Sequence, residues 1–293
     1  MASGVAGGPP TGSGSIELAD GVFAYIAPEE YRSNAGFVVA SDEVLVIDSR
    51  MTPVMAQALR DDIRRFTRSD ARLLVNTHFH GDHIFGNELF SPPAHVVAHS
   101  SVRRQLRTYG NDYPQIFVDE YHHVRTGYAG EILQVKRVVP PSITFDHALS
   151  VHLDGREIHL IHVGPAHTEG DIVVYLSAER VLFTGDLVFI DLHPWMVNCD
   201  LSGLIRAMER VTAWDVDVVV PGHGPVTTKS ALVVMLEYYR ALRHALRSAI
   251  ADGLSVDQAV EQLSGTFYAH WQQAARLPST IRRVWPQLQA ESA

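Results

Sequence analysis

The sequence contains a single cysteine, Cys199, so no intrachain disulfide can form and nothing in it calls for an oxidising compartment. A cytoplasmic location is the expectation. No stretch approaches the roughly eighteen consecutive apolar residues of a membrane-spanning helix. Runs of lysine or arginine are also missing and the formal charge is -9, which on electrostatic grounds argues against nucleic acid or an anionic membrane as partner. Residues 1–14, rich in Gly, Pro and Ser, lack both the basic start and the apolar run of a secretory signal, and read as a disordered tail. Apolar residues, in contrast, make up 46% of the 293 positions, enough to bury a core. Histidine is plentiful at sixteen residues, and several of these are clustered.

Short β-rich stretches broken by turn signals run from Ile16 to Ala27 and from Asn34 to Ser49, which predicts a strand meander. Met55, Leu59, Ile63 and Phe66 recur at helical spacing, and Ala71 to Asn76 returns to a buried-strand pattern. A strand over 94–98 and a basic helix over 100–109 lead into an aromatic insertion spanning residues 103–141. Strands resume from Ile143 to about Asp186, with a hairpin turn at Asp154-Gly155, and the second half repeats the first half's logic: a helix over 201–211, a strand over 217–220 and a Gly/Pro-rich loop around His223. Helices over 231–250 and 255–263 follow, with no further strand. The expected organisation is therefore the tail, a catalytic domain over 15–230 and a C-terminal helical extension over 231–293.

The strongest local signal is His78-Phe79-His80-Gly81-Asp82-His83, three imidazoles and a carboxylate in one loop just after a strand, with Gly81 expected to let the chain turn sharply. Three further strand-end loops each offer one ligand type: His167 in GPAHTEGD, Asp186 in LFTGDLVF and His223 in PGHGP. Read as a two-metal site, His78, His80 and His167 supply three nitrogens to one zinc, Asp82, His83 and His223 supply the second, and Asp186 bridges both. Two adjacent cations can acidify a bridging water, polarise a carbonyl and stabilise its oxyanion, so the pattern points to hydrolysis. Any one histidine is more often a packed or solvated residue than a ligand; seven side chains in this order are a different matter. His152, His159 and His162 fall on one predicted hairpin and read as ordinary strand residues, as do His95, His99, His122 and His123 as non-ligands, and Cys199 reads as a small packed residue.

In the order and spacing of these seven residues the chain resembles the metallo-β-lactamase-fold hydrolase superfamily over roughly residues 15–230. The resemblance implies an α/β fold, a four-layer αββα sandwich with a dinuclear site along one edge, and two zinc ions, with iron or manganese as alternatives. Asp186 stands where zinc β-lactamases with a cysteine ligand carry that cysteine, which looks like the thioesterase and lactonase branches. The segments SNAGFVVASDEVLVIDS, VNTHFHGDHIFGNELF, VGPAHTEGDIVVYL and ERVLFTGDLVF are similar to the bacterial cyclase/thioesterase-like group of aromatic polyketide pathways.

The expected activity is cleavage of a thioester, ester or lactone, with Asp82 and His223 as catalytic residues in addition to their place in the ligand set. A β-lactamase-like amide hydrolase and a mononuclear iron dioxygenase of the same fold are the alternatives. The expected partner is a small-molecule acyl substrate, free or carrier-bound, and the C-terminal helices could form a homodimer contact. Tyr109, Tyr113, Phe117, Tyr121 and Tyr128 in the insertion, with Phe189, His193, Trp195 and Met196 after Asp186, could frame an aromatic pocket or simply glue loops to the sandwich.

Overall fold

Strands β1 (Gly14–Ala19), β2 (Val22–Ile26), β3 (Ala35–Ala40) and β4 (Glu43–Ile47) form the expected antiparallel meander. The structure, a computed structural model, describes residues 14–27, 32–41, 43–120 and 127–292. The tail before Gly14 lies outside these residues, as do Tyr121, His122 and His123. Helix α1 (Pro53–Ile63) crosses over to β5 (Ala71–Val75), which pairs parallel with β4. Thr52 caps α1 by accepting from the Met55 N–H at 3.2 Å, and Pro53 occupies a first-turn position that needs no donor. Short helices α2 (Gly81–Ile84) and α3 (Asn87–Phe90) precede β6 (His95–His99). Helices α4 (Ser100–Tyr109), α5 (Tyr113–Glu120) and α6 (Ala129–Ile132) occupy much of the aromatic insertion before β7 (Ile143–Phe145) completes a seven-stranded sheet.

The second sheet has six strands: β8 (Ala148–Leu153), β9 (Arg156–His162), β10 (Ile172–Leu176), β11 (Val181–Phe183), β12 (Val218–Val220) and β13 (Thr227–Thr228). Helix α7 (Leu201–Thr212) connects β11 to β12, so that pair alone in this sheet is parallel. Helices α8 (Ser230–Ala251), α9 (Val256–Leu263) and α10 (Leu277–Ser292) follow. The sequence reading missed α10. Pro278 and Pro286 interrupt its helical pattern, but Pro278 sits in the first turn, where a missing N–H costs nothing, and Leu277, Ile281, Val284, Trp285 and Leu288 keep a buried stripe.

Where both faces are covered, as in β2, β3, β4, β10 and β11, the strands read as nearly continuous apolar runs whose side chains still alternate between the two faces. Leu45 and Ile47 of β4 meet Ile172 and Val174 of β10 between the sheets, while Val44 and Val46 face α1 through Ala56, Leu59 and Ile63. On the far side, Val173, Leu182 and Val219 pack under α7, α8 and α10. The result is four layers, helix, sheet, sheet, helix. The C-terminal helices share one core with the second sheet, and each large apolar side chain so buried contributes about 1.5–3 kcal/mol of transfer free energy.

The topology also fixes where chemistry can gather. Parallel pairing of β4 with β5 brings the residues after Ile47 and after Val75 to the same sheet edge, and parallel pairing of β11 with β12 does the same for the residues after Phe183 and after Val220. β10 runs antiparallel to β11, so the loop entering β10 arrives at that edge too. Open α/β sheets place their sites at such carboxyl ends.

Candidate metal centre

All seven sequence-selected side chains converge at this edge. One atom each from His78, His80, His167 and Asp186 falls within 4.8 Å of the others, and Asp82, His83 and His223 form a second group by the same measure. Asp186 lies between them. Its Oδ2 is 3.4 Å from His167 Nε2 and 3.8 Å from His78 Nε2, while its Oδ1 is 3.1 Å from His83 Nε2 and 3.4 Å from His223 Nε2. Asp82 Oδ2 adds a contact of 3.4 Å to His223 Nε2. All but Asp82 are buried.

The hydrogen bonds around the cluster assign which nitrogen of each ring faces inward. Asp48 Oδ1 accepts from the Thr77 N–H at 2.8 Å, and Asp48 Oδ2 accepts from the Thr77 hydroxyl at 2.7 Å and from His83 Nδ1 at 2.8 Å. With its proton given to Asp48, the Thr77 hydroxyl accepts from His78 Nδ1 at 3.1 Å. His80 Nε2 donates to Asn198 Oδ1 at 2.8 Å. Protons on these outer nitrogens turn His78 Nε2, His83 Nε2 and His80 Nδ1 into the cluster, where each offers a lone pair when its ring is neutral.

The inward atoms have only one another to face: His78 Nε2 is buried without a hydrogen-bond partner, His83 Nε2 lies 3.1 Å from Asp186 Oδ1, and His167 Nε2 lies 3.0 Å from His80 Nδ1. Imidazole nitrogens and a carboxylate converging in a dry site need positive charge among them, supplied by a proton or by a metal ion. The donor set, imidazole nitrogen and carboxylate oxygen, suits zinc, iron or manganese. The residues present therefore fit divalent metal.

Charge preferences divide the set: burial opposes charge on His83 and His223, but Asp186 and Asp82 outweigh it and hold His83 well above and His223 above the usual histidine range, so those two rings carry the positive charge that bound metal would replace. Burial, reinforced by repulsion from neighbouring imidazoles, holds His78 well below the usual histidine range, and burial takes His167 down to about 3, so both rings stay neutral. Burial works against ionised Asp186, but His223 and His83 outweigh it and keep that carboxyl well below its ordinary value. Burial likewise opposes the charge on Asp82, and His83 and His223 overcome it.

Close packing sets the cradle. A Cβ on Gly222 would meet Asp186 Oδ1 at 2.0 Å, so only glycine lets the His223 loop lie against the bridging carboxylate. Asn34 pins that loop, donating its N–H to Gly222 O at 2.7 Å and its amide to Pro221 O and Gly224 O at 3.0 and 2.7 Å. The sharp turn expected at Gly81 is absent. Gly81 starts α2 with ordinary helical backbone, and glycine is required because a Cβ there would strike the Phe85 and Phe117 rings at 2.2 and 2.9 Å.

Three contributors escaped the sequence reading: Asp48, Thr77 and Asn198. Asp48 carries the one readable signal in the structure, a left-handed backbone with φ of 58° at the end of β4, a conformation Asp tolerates and strand residues avoid. Among the aromatics, Phe189 stacks on His223 with centroids 4.9 Å apart, while Tyr113 and Phe117 are buried against Phe85 and glue α5 to α2. His193 is buried against Tyr238 and Trp271 of the C-terminal layer. His152, His159 and His162 lie on β8 and β9, away from the cluster, and buried Cys199 packs in the helical core on the far side of the second sheet.

The profile of the metallo-beta-lactamase superfamily matches residues 28–223, and the chain belongs to that superfamily. The human acyl-coenzyme A thioesterase MBLAC2 is 29% identical over 70% of this chain and 79% of its own length. The type 2 metallo-beta-lactamase of Bacteroides fragilis is 22% identical over 71% of this chain and 78% of its own. Among solved structures, the metallo-beta-lactamase from Pontibacter korlensis covers 77% of this chain and 98% of its own at 21% identity and a TM-score of 0.60. The sec-alkylsulfatase Pisa1 from Pseudomonas sp. covers 94% of this chain and 50% of its own at 16% identity and a TM-score of 0.68. The αββα fold expected from the sequence is thus the observed one, and the chain is a metallo-hydrolase of this superfamily. Among the described residues no helix is long and apolar enough to cross a membrane.

Proposed function

We propose that the protein is a dinuclear zinc hydrolase of a thioester, ester or lactone. The observation that carries this reading is the placement of Asp186, one oxygen toward each histidine group. His78, His80 and His167 would hold one ion, Asp82, His83 and His223 the other, and Asp186 would bridge. When bound, the metal pair supplies Lewis acidity toward a carbonyl oxygen and acidifies water at neutral pH. The chain's own residues do the rest. Asp48 and Thr77 hold the His83 and His78 rings in the tautomers that present lone pairs inward, and Asn198 does so for His80. Asp82 is the member of the set that reaches the surface, so its carboxylate is placed to accept the proton of the attacking water and to return it to the leaving group. The stacked Phe189 ring restricts His223 to one orientation.

The thioesterase among the relatives supports a thioester, and the similarity to polyketide cyclase/thioesterase-like proteins supports an acyl chain delivered free or on a carrier. Elemental analysis of the purified protein, with a panel of a thioester, an aryl ester, a lactone and a cephalosporin, tests the reading. About two zinc ions per chain with turnover of one of the first three is the expected result. About one iron per chain, no hydrolysis and oxygen uptake would overturn it.

A further inference from the structure

Two histidines outside the ligand set, His99 and His162, stack face to face at the metal edge, with ring centroids 3.9 Å apart and planes inclined by 17°. His99 ends β6 of the first sheet and His162 ends β9 of the second, so the stack bridges the two sheets. The segment that carries His167, residues 163–171, starts directly after one of these rings and ends against both. The Asp171 carbonyl accepts from His162 Nδ1 at 2.9 Å and from the Val163 N–H at 3.2 Å, which closes the base of the loop. The Asp171 carboxylate then reaches the neighbour of the ligand, accepting from the Thr168 N–H at 2.8 Å and from the Thr168 hydroxyl at 2.7 Å. On its other side the loop presses on α4: a Cβ on Gly170 would meet His99 Nδ1 at 3.2 Å and strike the Ser101 hydroxyl.

The hydrogen bonds also fix where the protons sit on these rings. His162 Nδ1 faces a carbonyl and must donate, which leaves the lone pair on Nε2. His99 is the reverse. Its Nδ1 caps α4, accepting from the Ser101 N–H at 3.3 Å with the Ser101 hydroxyl at 2.8 Å, so its proton is on Nε2. A second proton on His99 would point a donor at the Ser101 N–H and remove the cap, and cations on both rings would face each other across the 3.9 Å stack. Burial and the neighbouring His162 hold His99 below the ordinary histidine value of 6.5, against Asp146 and Glu169, which favour its charge. Burial holds His162 below that value as well, assisted by His147 and Arg210 and opposed by the Asp171 carbonyl and by Glu169, itself paired with Arg104.

We infer that His99 and His162 form a clasp across the two sheets that positions the His167 loop for metal binding, tight while both rings are neutral and loosened as acid protonates them. Both act through the backbone of the loop and neither belongs to the ligand set. The inference rests on the metal-centre reading only in treating His167 as a ligand. Because folding lowers the proton affinity of both rings, the contribution of the clasp is fully present above pH 6.5 and is lost as pH falls below it.

The test is hydrogen exchange of the Val163 and Ala166 amides, which bond Asp171 O and Thr168 O inside the loop, in the full chain with and without zinc and corrected for the intrinsic effect of pH. His162→Phe keeps a stacking ring and deletes the donor to Asp171. Near neutral pH both amides should then exchange about 3–10-fold faster, the worth of one hydrogen bond, and zinc should be held more weakly. Exchange equal to wild type overturns the positioning role. In a double variant, His99→Asn with His162→Gln, neither side chain titrates, while Asn keeps a cap acceptor and Gln keeps a donor. Between about pH 7.5 and about pH 5.5 wild-type exchange should accelerate more than that of the double variant by a similar factor. Matching acid responses would assign the effect to the metal ligands themselves and overturn the clasp. Where a variant fails to fold, a nitrogen NMR titration of the wild-type imidazoles decides: both rings titrating below 6.5, with the His99 proton on Nε2, supports the clasp, and midpoints at or above 6.5 overturn it. Exchange and titration need no turnover, so a failure of the hydrolase reading is seen separately.

Discussion

Replacing Asp48 by Asn isolates the support of the metal centre from the ligands themselves. The two side chains have the same shape, and Asn tolerates the left-handed backbone at this position as well as Asp does, so the φ of 58° adds no new cost. The hydrogen bonds are what change. Three donors converge on the Asp48 carboxylate: the Thr77 N–H, the Thr77 hydroxyl and His83 Nδ1. An Asn that keeps its oxygen on the Thr77 N–H turns its amide N–H group toward His83 Nδ1. That ring must then carry its proton on Nε2, where it points at Asp186 Oδ1 3.1 Å away and occupies the lone pair meant for metal. Losing a hydrogen bond to a charged group costs about 1.5–3 kcal/mol, which corresponds to metal held roughly 10–100-fold more weakly, the usual effect of removing an outer partner of a metal-bound histidine. The measurement is a competitive titration of zinc against a chromophoric chelator, followed by elemental analysis after dialysis. The binding event that uses His83 should move and the other should stay nearly in place. Equal affinities for both ions in wild type and Asp48→Asn would refute the tautomer argument.

Three further outcomes can be checked. Gly222→Ala places a methyl group 2.0 Å from Asp186 Oδ1, and should lower stability by about 1–3 kcal/mol and reduce metal content; a thermal melt and metal content matching wild type would contradict the packing account. Burial pushes the Cys199 thiol up to about 12 from an ordinary value of 9.0, so the folded protein should resist iodoacetamide near pH 8 and react once unfolded. The sign for stability follows: the neutral thiol's contribution is fully present below pH 9.0 and is lost as pH rises toward about 12, because the unfolded chain ionises first, and the loss is to be read as a Cys199→Ser variant whose stability falls less over that interval. Gln287→Ala removes an amide that donates to Cys199 O at 2.7 Å and accepts from the Leu201 N–H at 3.1 Å; it should loosen the segment carrying Asn198 and weaken metal binding at the His78, His80 and His167 group, with unchanged affinity as the opposing result.

What could be read from the sequence followed from periodicity and local density. His78, His80, Asp82 and His83 crowd one turn, and His167, Asp186 and His223 each follow or precede a strand with a clear apolar run, so both their chemistry and their placement at strand ends were visible. The layers were visible too, because strands covered on both faces are apolar almost throughout. Asp48 was not, since a lone aspartate after VLVI resembles many strand ends until parallel pairing of β4 and β5 sets it beside Thr77 and His83. Asn198 is hidden for the same reason, lying in a loop 118 residues from the His80 it orients.

The loop after Asp186 shows why separating the chain at about residue 230 obscures how the site is built. Read linearly, the helices after that point are an appendage to a complete ligand set. In three dimensions α8 and α10 share a core with the second sheet, Tyr238 hydrogen-bonds His193 Nδ1 at 2.9 Å, and Gln287 holds the backbone next to Asn198. The loop after Asp186 is therefore clamped between its strand and the C-terminal layer, and the orientation of His80 depends on both. A ligand set of this kind can be supplied by strand-end loops alone, but the fixed orientation of His80 comes in part from the layer that the linear reading sets apart.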